Sequence, residues 1–214
     1  MSEYSYPKLS EAIKSVLLND LPQVVDIHIK SFPNFFLTFL GKDFLLLLYK
    51  GICNEPDGII LGAFLDDQIE GFIAGVTNQC GFYKRLIKRQ KWAFAFASLK
   101  ALLRCPRIAP RLLRALRKPS EAQQASAEAC LMSIAVRPEY EGKGIGRQLV
   151  EAFNQELINR GISSVCLTTD KNHNDRVNQF YQKLGFCLSR SYVTPEGRAM
   201  NEYLIHPGRN KTES

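Results

Sequence analysis

Apolar residues recur along this chain in short runs interrupted by polar turns, and these runs predict strands. Asn, Asp, Gly or other polar residues bound the runs, as is usual for strands. The predicted strands cover residues 12–18, 58–65, 69–76, 131–136 and 164–169. The polar turn Asp66-Asp67-Gln68 joins the second and third of them as a hairpin.

Two helices are predicted between the first and second strands. Asn19, Asp20 and Pro22 form a helix-start signal, in which a capping side chain precedes an early proline. We expect this helix to reach about Ser31 and a second helix to cover 37–53. The chain therefore opens in the order strand, helix, helix, strand, strand.

A glycine-rich turn follows the predicted strand at 131–136, with Gly142, Gly144 and Gly146 at alternate positions. The next apolar residues recur at four-residue spacing and predict a helix with one apolar face: Ile145, Leu149, Phe153 and Leu157. Backbone N–H groups converge at such a helix start, where they favour an anion such as pyrophosphate. The spacing fits neither G-x-G-x-x-G nor G-x-x-x-x-G-K-[ST]. A tight strand-to-helix connection without a ligand is the alternative.

Two sequence motifs, one following the other along the chain, favour the anion site over a connection without a ligand. The stretch Glu141-Gly-Lys-Gly-Ile-Gly146 matches the nucleotide motif Q/R-x-x-G-x-G/A, and residues 174–186 match N-x-x-A-x-x-F-Y-x-x-x-G-F. On these motifs the chain resembles the GNAT acetyltransferase superfamily over roughly residues 11–207. Two residues depart from the motifs: Glu141 replaces Gln or Arg, and Val177 replaces Ala. Neither removes a backbone donor, although Glu141 takes away one possible phosphate-facing side chain.

The resemblance implies an α/β GNAT fold, a mixed and mostly antiparallel sheet flanked by helices, and acetyl-CoA as acyl donor. Main-chain groups of Ile134, Ala135 and Val136 would pair with the pantetheine arm. The glycine turn would hold the pyrophosphate through Gly142, Lys143, Gly144, Ile145, Gly146 and Arg147. Asn174 would hydrogen-bond the pantetheine, or alternatively cap a helix. Tyr181 would be the catalytic residue at the thioester sulfur, or alternatively pack against the sheet.

The acceptor side is less defined. In this fold the two opening helices wall the acceptor site, so His28, Phe32, Phe35 and, on the central strand, Glu128 are candidate substrate contacts. Core packing is the alternative for the histidine and the phenylalanines. Cys130 and Met132 occupy the positions on the central strand where family members often carry a base, with Glu128 farther back. The base is therefore open between Asp170, His28, Glu202 and a water chain.

Charge is concentrated in one segment. Residues 82–119 contain twelve Lys or Arg and no acid, whereas the whole chain carries a formal net charge of +7. We predict an enlarged basic helical segment between the third and fourth strands. Solvation of its basic face, attraction of anionic phosphates and peripheral contact with an anionic membrane are the open interpretations. Nucleic acid is not expected, since no recognition module accompanies the charge.

The length of 214 residues indicates a single domain, which the resemblance implies covers 11–207, with a disordered tail at 208–214. No apolar run reaches the ~20 residues of a membrane span. Six scattered cysteines without a C-x-x-C pair favour a reducing, cytoplasmic setting, and isolated histidines argue against a metal site. We expect an N-acetyltransferase acting on a small-molecule amine acceptor or a protein N-terminus. The alternative is a non-catalytic acyl-CoA-binding or membrane-docking module.

Overall fold

A computed structural model of the chain describes residues 13–33, 35–78, 82–104 and 127–208, without the side chains of residues 83, 84, 101 and 104. The strands are β1 Ile13–Ser15, β2 Gly58–Leu65, β3 Gln68–Val76, β4 Ala129–Val136, β5 Val165–Asp170, β6 Cys187–Val193 and β7 Ala199–Ile205. The α-helices are α1 Leu21–Ser31, α2 Phe36–Leu40, α3 Lys42–Asn54, α4 Phe82–Arg89, α5 Lys91–Arg104, α6 Ile145–Asn159 and α7 Asp175–Lys183. Short 3-10 turns lie at Leu18–Asp20 and Pro138–Tyr140.

The described strands form one seven-stranded sheet in the order β1-β2-β3-β4-β5-β7-β6. Its neighbours run antiparallel except β4 and β5, which run parallel. A mixed, mostly antiparallel sheet flanked by helices was predicted, and this prediction is confirmed. The helices pack on both faces, because α1 and α3 contribute to one apolar cluster and α6 and α7 to another.

Apolar periodicity explains the packing of α6. Ile145, Leu149, Phe153 and Leu157 are all buried and form part of the cluster on its face of the sheet, as their spacing predicted. On the opposite face, Val24, Ile27 and Leu45 of α1 and α3 pack with residues of β3 and β4. The sheet thus has an apolar layer on each side, with β4 and β5 in the middle of the molecule.

The prediction of one helix over 37–53 was wrong. The chain forms α2 and α3 instead, and Gly41 between them has a φ of 87°, which breaks the helix. The first strand is also shorter than predicted, since β1 covers only Ile13–Ser15. Helices α4 and α5 do lie between β3 and β4, but residues 105–119 lie outside the described residues. The enlarged basic segment over 82–119 therefore stays a prediction, as do the domain bounds and the tail at 208–214, of which 209–214 are not described.

Candidate active site

A gap in the middle of the sheet is the main feature of the candidate site. Strands β4 and β5 pair only at Ala129 with Val165 and at Cys130 with Cys166, within the fully described stretch 127–208. From Leu131 onward, the edge of β4 that faces β5 has no strand partner there, while its other edge pairs with β3 through Val136. The register with β3 shifts between Ala74 and Gly75, so β4 bulges where it leaves β5. The space between the unpaired parts of β4 and β5 is called the β4–β5 gap below. Backbone groups on the open edge of β4 are available there to an extended ligand.

The glycine turn lies directly after β4. Gly142 and Gly144 have φ values of 78° and 85°, which favour glycine, and no described atom beyond the adjacent residues lies within 4 Å of an ideal Cβ at either position. Gly144 precedes the first residue of α6, so the N–H groups of Ile145, Gly146 and Arg147 have no acceptor within the helix. The turn therefore offers converging donors under open space, as an anion site requires.

Side chains around the turn are mostly exposed. The ammonium group of Lys143 lies 4.5 Å from the centre of the Tyr140 ring, and Arg147 is exposed on α6. The carboxylate of Glu141, which departs from the family motif, lies 3.5 Å from the guanidinium of Arg176 in α7. Both of these side chains are at least half exposed, so this ion pair contributes little to stability.

Asn174 occupies the N-cap position of α7, but its side chain does not cap the helix. Its amide nitrogen donates to Thr169 Oγ1 at 2.8 Å and to the carbonyl of Asp170 at 3.1 Å. Of the two predicted roles, the side-chain cap is therefore not seen. Asn174 instead joins the start of α7 to the end of β5, beside the β4–β5 gap. Its contact with the pantetheine stays a prediction.

Asn178 is the residue that sequence reasoning missed. Its amide nitrogen donates to the carbonyls of Asp170 and Asn174, at 3.0 and 2.8 Å. Its carbonyl oxygen accepts from Asn201 Nδ2 at 3.0 Å and from Tyr203 Oη at 2.9 Å. The available signal was a polar residue one turn before Tyr181 on the same helix. Asn178 fixes α7 against both β5 and β7.

Tyr181 is held in a cluster of aromatic rings. It is only 6% exposed, and its ring makes edge contacts with Phe180 and Phe186 and lies 6.2 Å from that of Tyr203. Burial raises the pKa of Tyr181 well above the usual value for tyrosine. The ring packs in the cluster on the α7 face of the sheet, as the alternative interpretation expected. The catalytic role stays a prediction.

Three candidate acceptor contacts lie together at the end of α1. His28 is buried, and its Nδ1 lies 2.7 Å from the hydroxyl of Tyr49, while its ring packs against Phe32. Burial lowers the pKa of His28 to about 4, so the ring is neutral near pH 7. Phe35 contacts Phe32. The guanidinium carbon of Arg198, a residue in the connection between β6 and β7, lies 5.2 Å from the centre of the Phe35 ring. This contact joins the α1 end to the β7 side of the sheet.

Glu128 is not brought together with these residues. It precedes β4, and both its backbone N–H and its carboxylate hydrogen-bond to the serines before β5, Ser163 and Ser164. That position is at the opposite end of the paired segment from Asn174. Asp170 is also engaged, since it accepts two hydrogen bonds of 2.8 Å from the Arg198 guanidinium.

Helix α5 presents an exposed apolar stripe. Trp92, Phe96, Leu99 and Leu103 lie at helical spacing and are 54–79% exposed, while Phe94 and Ala97 on the other side of the helix are buried. Among the described residues no helix is long and apolar enough to cross a membrane. The predicted contact with an anionic membrane stays a prediction.

Comparisons with known proteins agree with this geometry. A family model described as the Acetyltransferase (GNAT) family matches residues 21–186. The [Ribosomal protein bS18]-alanine N-acetyltransferase of Escherichia coli K12 is 37% identical over 75 residues, which are 33% of this chain and 50% of that protein. N-alpha-acetyltransferase 30 of Schizosaccharomyces pombe is 33% identical over 78 residues, 35% of this chain and 50% of that protein. The matches thus span about half the length of these curated relatives.

A solved structure shows the same fold over nearly the whole chain. The crystal structure of aminoglycoside 6'-N-acetyltransferase complexed with coenzyme A has a TM-score of 0.59 at 15% identity, covering 92% of this chain and 98% of that one. GNAT acetyltransferases use acetyl-CoA, and this neighbour holds coenzyme A. Because the family match covers most of the chain and includes the glycine turn and the Tyr181 motif, the chain belongs to the GNAT acetyltransferase family.

Proposed function

We propose that this chain is an acetyl-CoA-dependent N-acetyltransferase, in which an amine attacks the thioester directly. The observation that carries the proposal is the β4–β5 gap, which opens beside the glycine turn at the start of α6. An extended arm needs free main-chain groups, and a diphosphate needs converging N–H groups. The chain offers both next to each other.

The residues present fit coenzyme A. Gly142 and Gly144 leave open space where a Cβ would otherwise stand, so a diphosphate can approach the backbone. The bound donor supplies the acyl thioester. Main-chain groups of Ile134, Ala135 and Val136 would hold its extended arm, and a backbone N–H at the β4 bulge would stabilise the negative charge that develops on the acyl oxygen.

Tyr181 would act as a hydrogen-bond donor to the leaving sulfur. Reference pKa values are ~10 for tyrosine and ~8.5 for a thiol, so proton transfer to a thiolate is already unfavourable by about 2 kcal/mol. Burial raises the pKa of Tyr181 further, and the proton therefore stays on its hydroxyl group. A hydrogen bond stabilises the developing thiolate without this transfer.

The proposed acceptor is an amine. Two curated relatives are named for acetylation of protein α-amines, which supports a protein N-terminus, and a structural neighbour is named for an aminoglycoside. An α-amino group has a pKa of ~8, so about a tenth of it is neutral and nucleophilic at pH 7. A small-molecule amine and a protein N-terminus are therefore both chemically suitable.

Two measurements test the proposed function. Calorimetry with acetyl-CoA, without an acceptor, measures binding. A thiol-release assay then screens four acceptors: a peptide with an N-terminal alanine, a peptide with an internal lysine, kanamycin and spermidine. We expect binding of acetyl-CoA and release of thiol with at least one acceptor. Tight binding with no turnover on any of them would favour the non-catalytic acyl-CoA-binding module instead.

A further inference from the structure

A carboxylate on the acceptor face has one oxygen without a partner. Glu202 in β7 is only 5% exposed, and its Oε2 accepts a hydrogen bond of 3.0 Å from the Arg190 guanidinium. Its Oε1 is buried and accepts no hydrogen bond from any described residue. Burying a carboxylate oxygen without a donor is unfavourable, which points to a donor that arrives with a ligand.

Strand pairing places Glu202 on the face of the sheet where the acceptor would bind. Cys166 lies beside Cys130, which packs with the cluster that includes α1. Thr168 shares the face of Cys166 because side chains two apart along a strand point the same way, and Thr168 pairs with Glu202 across β7. Since Thr168 is two residues beyond the last β4–β5 pair, Glu202 lies alongside the open part of the gap.

The next residue of β7 places Glu202 relative to Tyr181. Successive side chains of a strand point to opposite faces, so Tyr203 points away from Glu202. The Tyr203 ring lies 6.2 Å from that of Tyr181, in the cluster on the α7 face. Glu202 and Tyr181 therefore lie on opposite faces of the sheet. A base at the attacking nitrogen and a donor at the leaving sulfur can act from opposite faces, because they contact different atoms bonded to one acyl carbon.

Two of the other side chains considered for the base are already engaged. Asp170 is held by two short hydrogen bonds from Arg198. Glu128 bonds to Ser163 at the far end of the β4–β5 pair. His28 also has a buried nitrogen without a described partner, Nε2, but its Nδ1 is bound to a tyrosine hydroxyl inside the α1 cluster, and the residue lies on a helix and not on a strand that borders the gap. Glu202 combines a buried free oxygen with a position beside the gap.

Titratable groups around Glu202 come from three strands: Arg190 and Tyr192 of β6, Cys130 of β4 and Cys166 of β5. Burial raises the pKa of Tyr192, and a hydrogen bond with Cys166 together with burial raises that of Cys130. Both groups therefore keep their protons near pH 7. Arg190 holds one carboxylate oxygen of Glu202 and leaves the other without a described partner.

We propose that Glu202 is the base of the acceptor site, whose free Oε1 accepts a hydrogen bond from the attacking amine and then its proton. This inference rests on the proposed acetyltransferase function. The nitrogen forms a bond to the acyl carbon, the carbon–sulfur bond breaks, and Glu202 takes the proton that the nitrogen loses. The thiolate leaves with the hydrogen bond of Tyr181 and takes a proton from solvent, while Glu202 returns its proton to solvent. The balance is amine plus thioester to amide plus thiol.

The test compares Glu202→Gln, Glu202→Asp and Glu202→Ala with Glu55→Gln. Glu55 is a matched control, because it is 8% exposed and also pairs with an arginine, Arg89, but lies in the turn after α3. The acceptor used is the one that wild-type protein acetylates fastest among the alanine peptide, the lysine peptide, kanamycin and spermidine. Urea denaturation shows that each variant is folded, and calorimetry gives its Kd for acetyl-CoA.

We expect Glu202→Gln to lower kcat at least about 100-fold, as loss of a general base does, with the Kd for acetyl-CoA within twofold of wild type. Glu202→Asp keeps a carboxylate, so its kcat should lie between that of wild type and that of Glu202→Gln. Glu55→Gln should retain the wild-type kcat. Sodium formate should restore activity to Glu202→Ala, whereas sodium chloride at equal ionic strength should not, because formate replaces the missing carboxylate.

Other results overturn the assignment. A kcat of Glu202→Gln within threefold of wild type would remove Glu202 from the reaction. A large loss that formate does not restore, or one accompanied by weaker acetyl-CoA binding, would show a structural role. If the glutamine and alanine variants do not fold, a kcat of Glu202→Asp equal to wild type would exclude a positioned base. Wild-type protein that acetylates none of the four amines would instead refute the proposed function, and this inference with it.

Discussion

Replacing Asn178 should destabilise the chain more than any other single polar substitution on α7. Its side chain makes four hydrogen bonds, two as donor to carbonyls and two as acceptor from Asn201 and Tyr203. Both carbonyls keep another donor after Asn178→Ala, because Asp170 O also accepts from Asn174 Nδ2 and Asn174 O accepts from the backbone N–H of residue 178. The two donors on β7 lose their acceptor.

The magnitude follows from these two donors. Asn201 is 7% exposed and Tyr203 is 1% exposed, so water does not readily replace the lost acceptor. A buried polar group left unsatisfied costs about 1–3 kcal/mol, which gives about 2–6 kcal/mol for the pair. Asn178→Asp keeps the acceptor for both donors but sets a carboxylate against the two carbonyls. We expect it to be destabilising as well, because these repulsions are buried.

Urea denaturation followed by circular dichroism measures both variants. Gln182→Ala is the matched control, because Gln182 is exposed on the same helix, and it should change the free energy of unfolding by less than about 0.5 kcal/mol. A loss below about 1 kcal/mol for Asn178→Ala would refute the reasoning, since it would mean that the buried network contributes little. In the folded fraction, the kcat of Asn178→Ala should also fall, because α7 positions Tyr181.

Replacing Tyr181 by Phe should lower kcat about 100-fold in the thiol-release assay and leave the Kd for acetyl-CoA within twofold, and an unchanged kcat would exclude its hydroxyl from the chemistry. Gly144→Ala should weaken acetyl-CoA binding in calorimetry about tenfold or more, because a Cβ would force the turn out of its left-handed conformation. Gly161→Ala, at a similarly positive φ beyond the other end of α6, should leave that Kd unchanged, and equal losses would contradict the phosphate assignment. The pKa of His28 is lowered to about 4 in the folded chain, so the unfolded chain binds its proton first, and the free energy of unfolding should fall by about 3 kcal/mol between pH 6.5 and pH 4. Urea denaturation of His28→Gln should lack this part of the pH dependence, and an equal slope would contradict it. If the basic helices contact an anionic membrane, the chain should co-sediment with phosphatidylserine vesicles but not with phosphatidylcholine vesicles, and no dependence on anionic lipid would exclude that contact.

Local patterns in the sequence predicted the elements that form the cofactor side of the site. The apolar spacing from Ile145 to Leu157 indicated the helix, and the alternating glycines indicated the turn before it, because both signals depend on neighbouring residues alone. The break at Gly41 was missed, since a glycine inside an apolar helical pattern is often tolerated. Only the tertiary arrangement gives that glycine its positive φ.

The acceptor side depends on contacts between residues distant in sequence. Asn178 is indistinguishable in sequence from a polar residue on a solvated helix face, and only packing against β5 and β7 buries it. Glu202 was one of several open possibilities because its orientation follows from the register between β5 and β7. Glu128 was expected near the substrate from its place on the central strand, but the serines before β5 hold it at the far end.

The short pairing between β4 and β5 also bears on the mechanics of the sheet. The sheet consists of two hydrogen-bonded halves, one from β1 to β4 and the other from β5 to β6, in the order of the strands. Only two residue pairs, both between β4 and β5, connect these halves within residues 127–208. A ligand that hydrogen-bonds along the free edge of β4 would add contacts between the two halves of the sheet. Amide hydrogens of β4 and β5 should then exchange more slowly with the donor bound, so that the enzyme is stiffest when it is loaded for reaction.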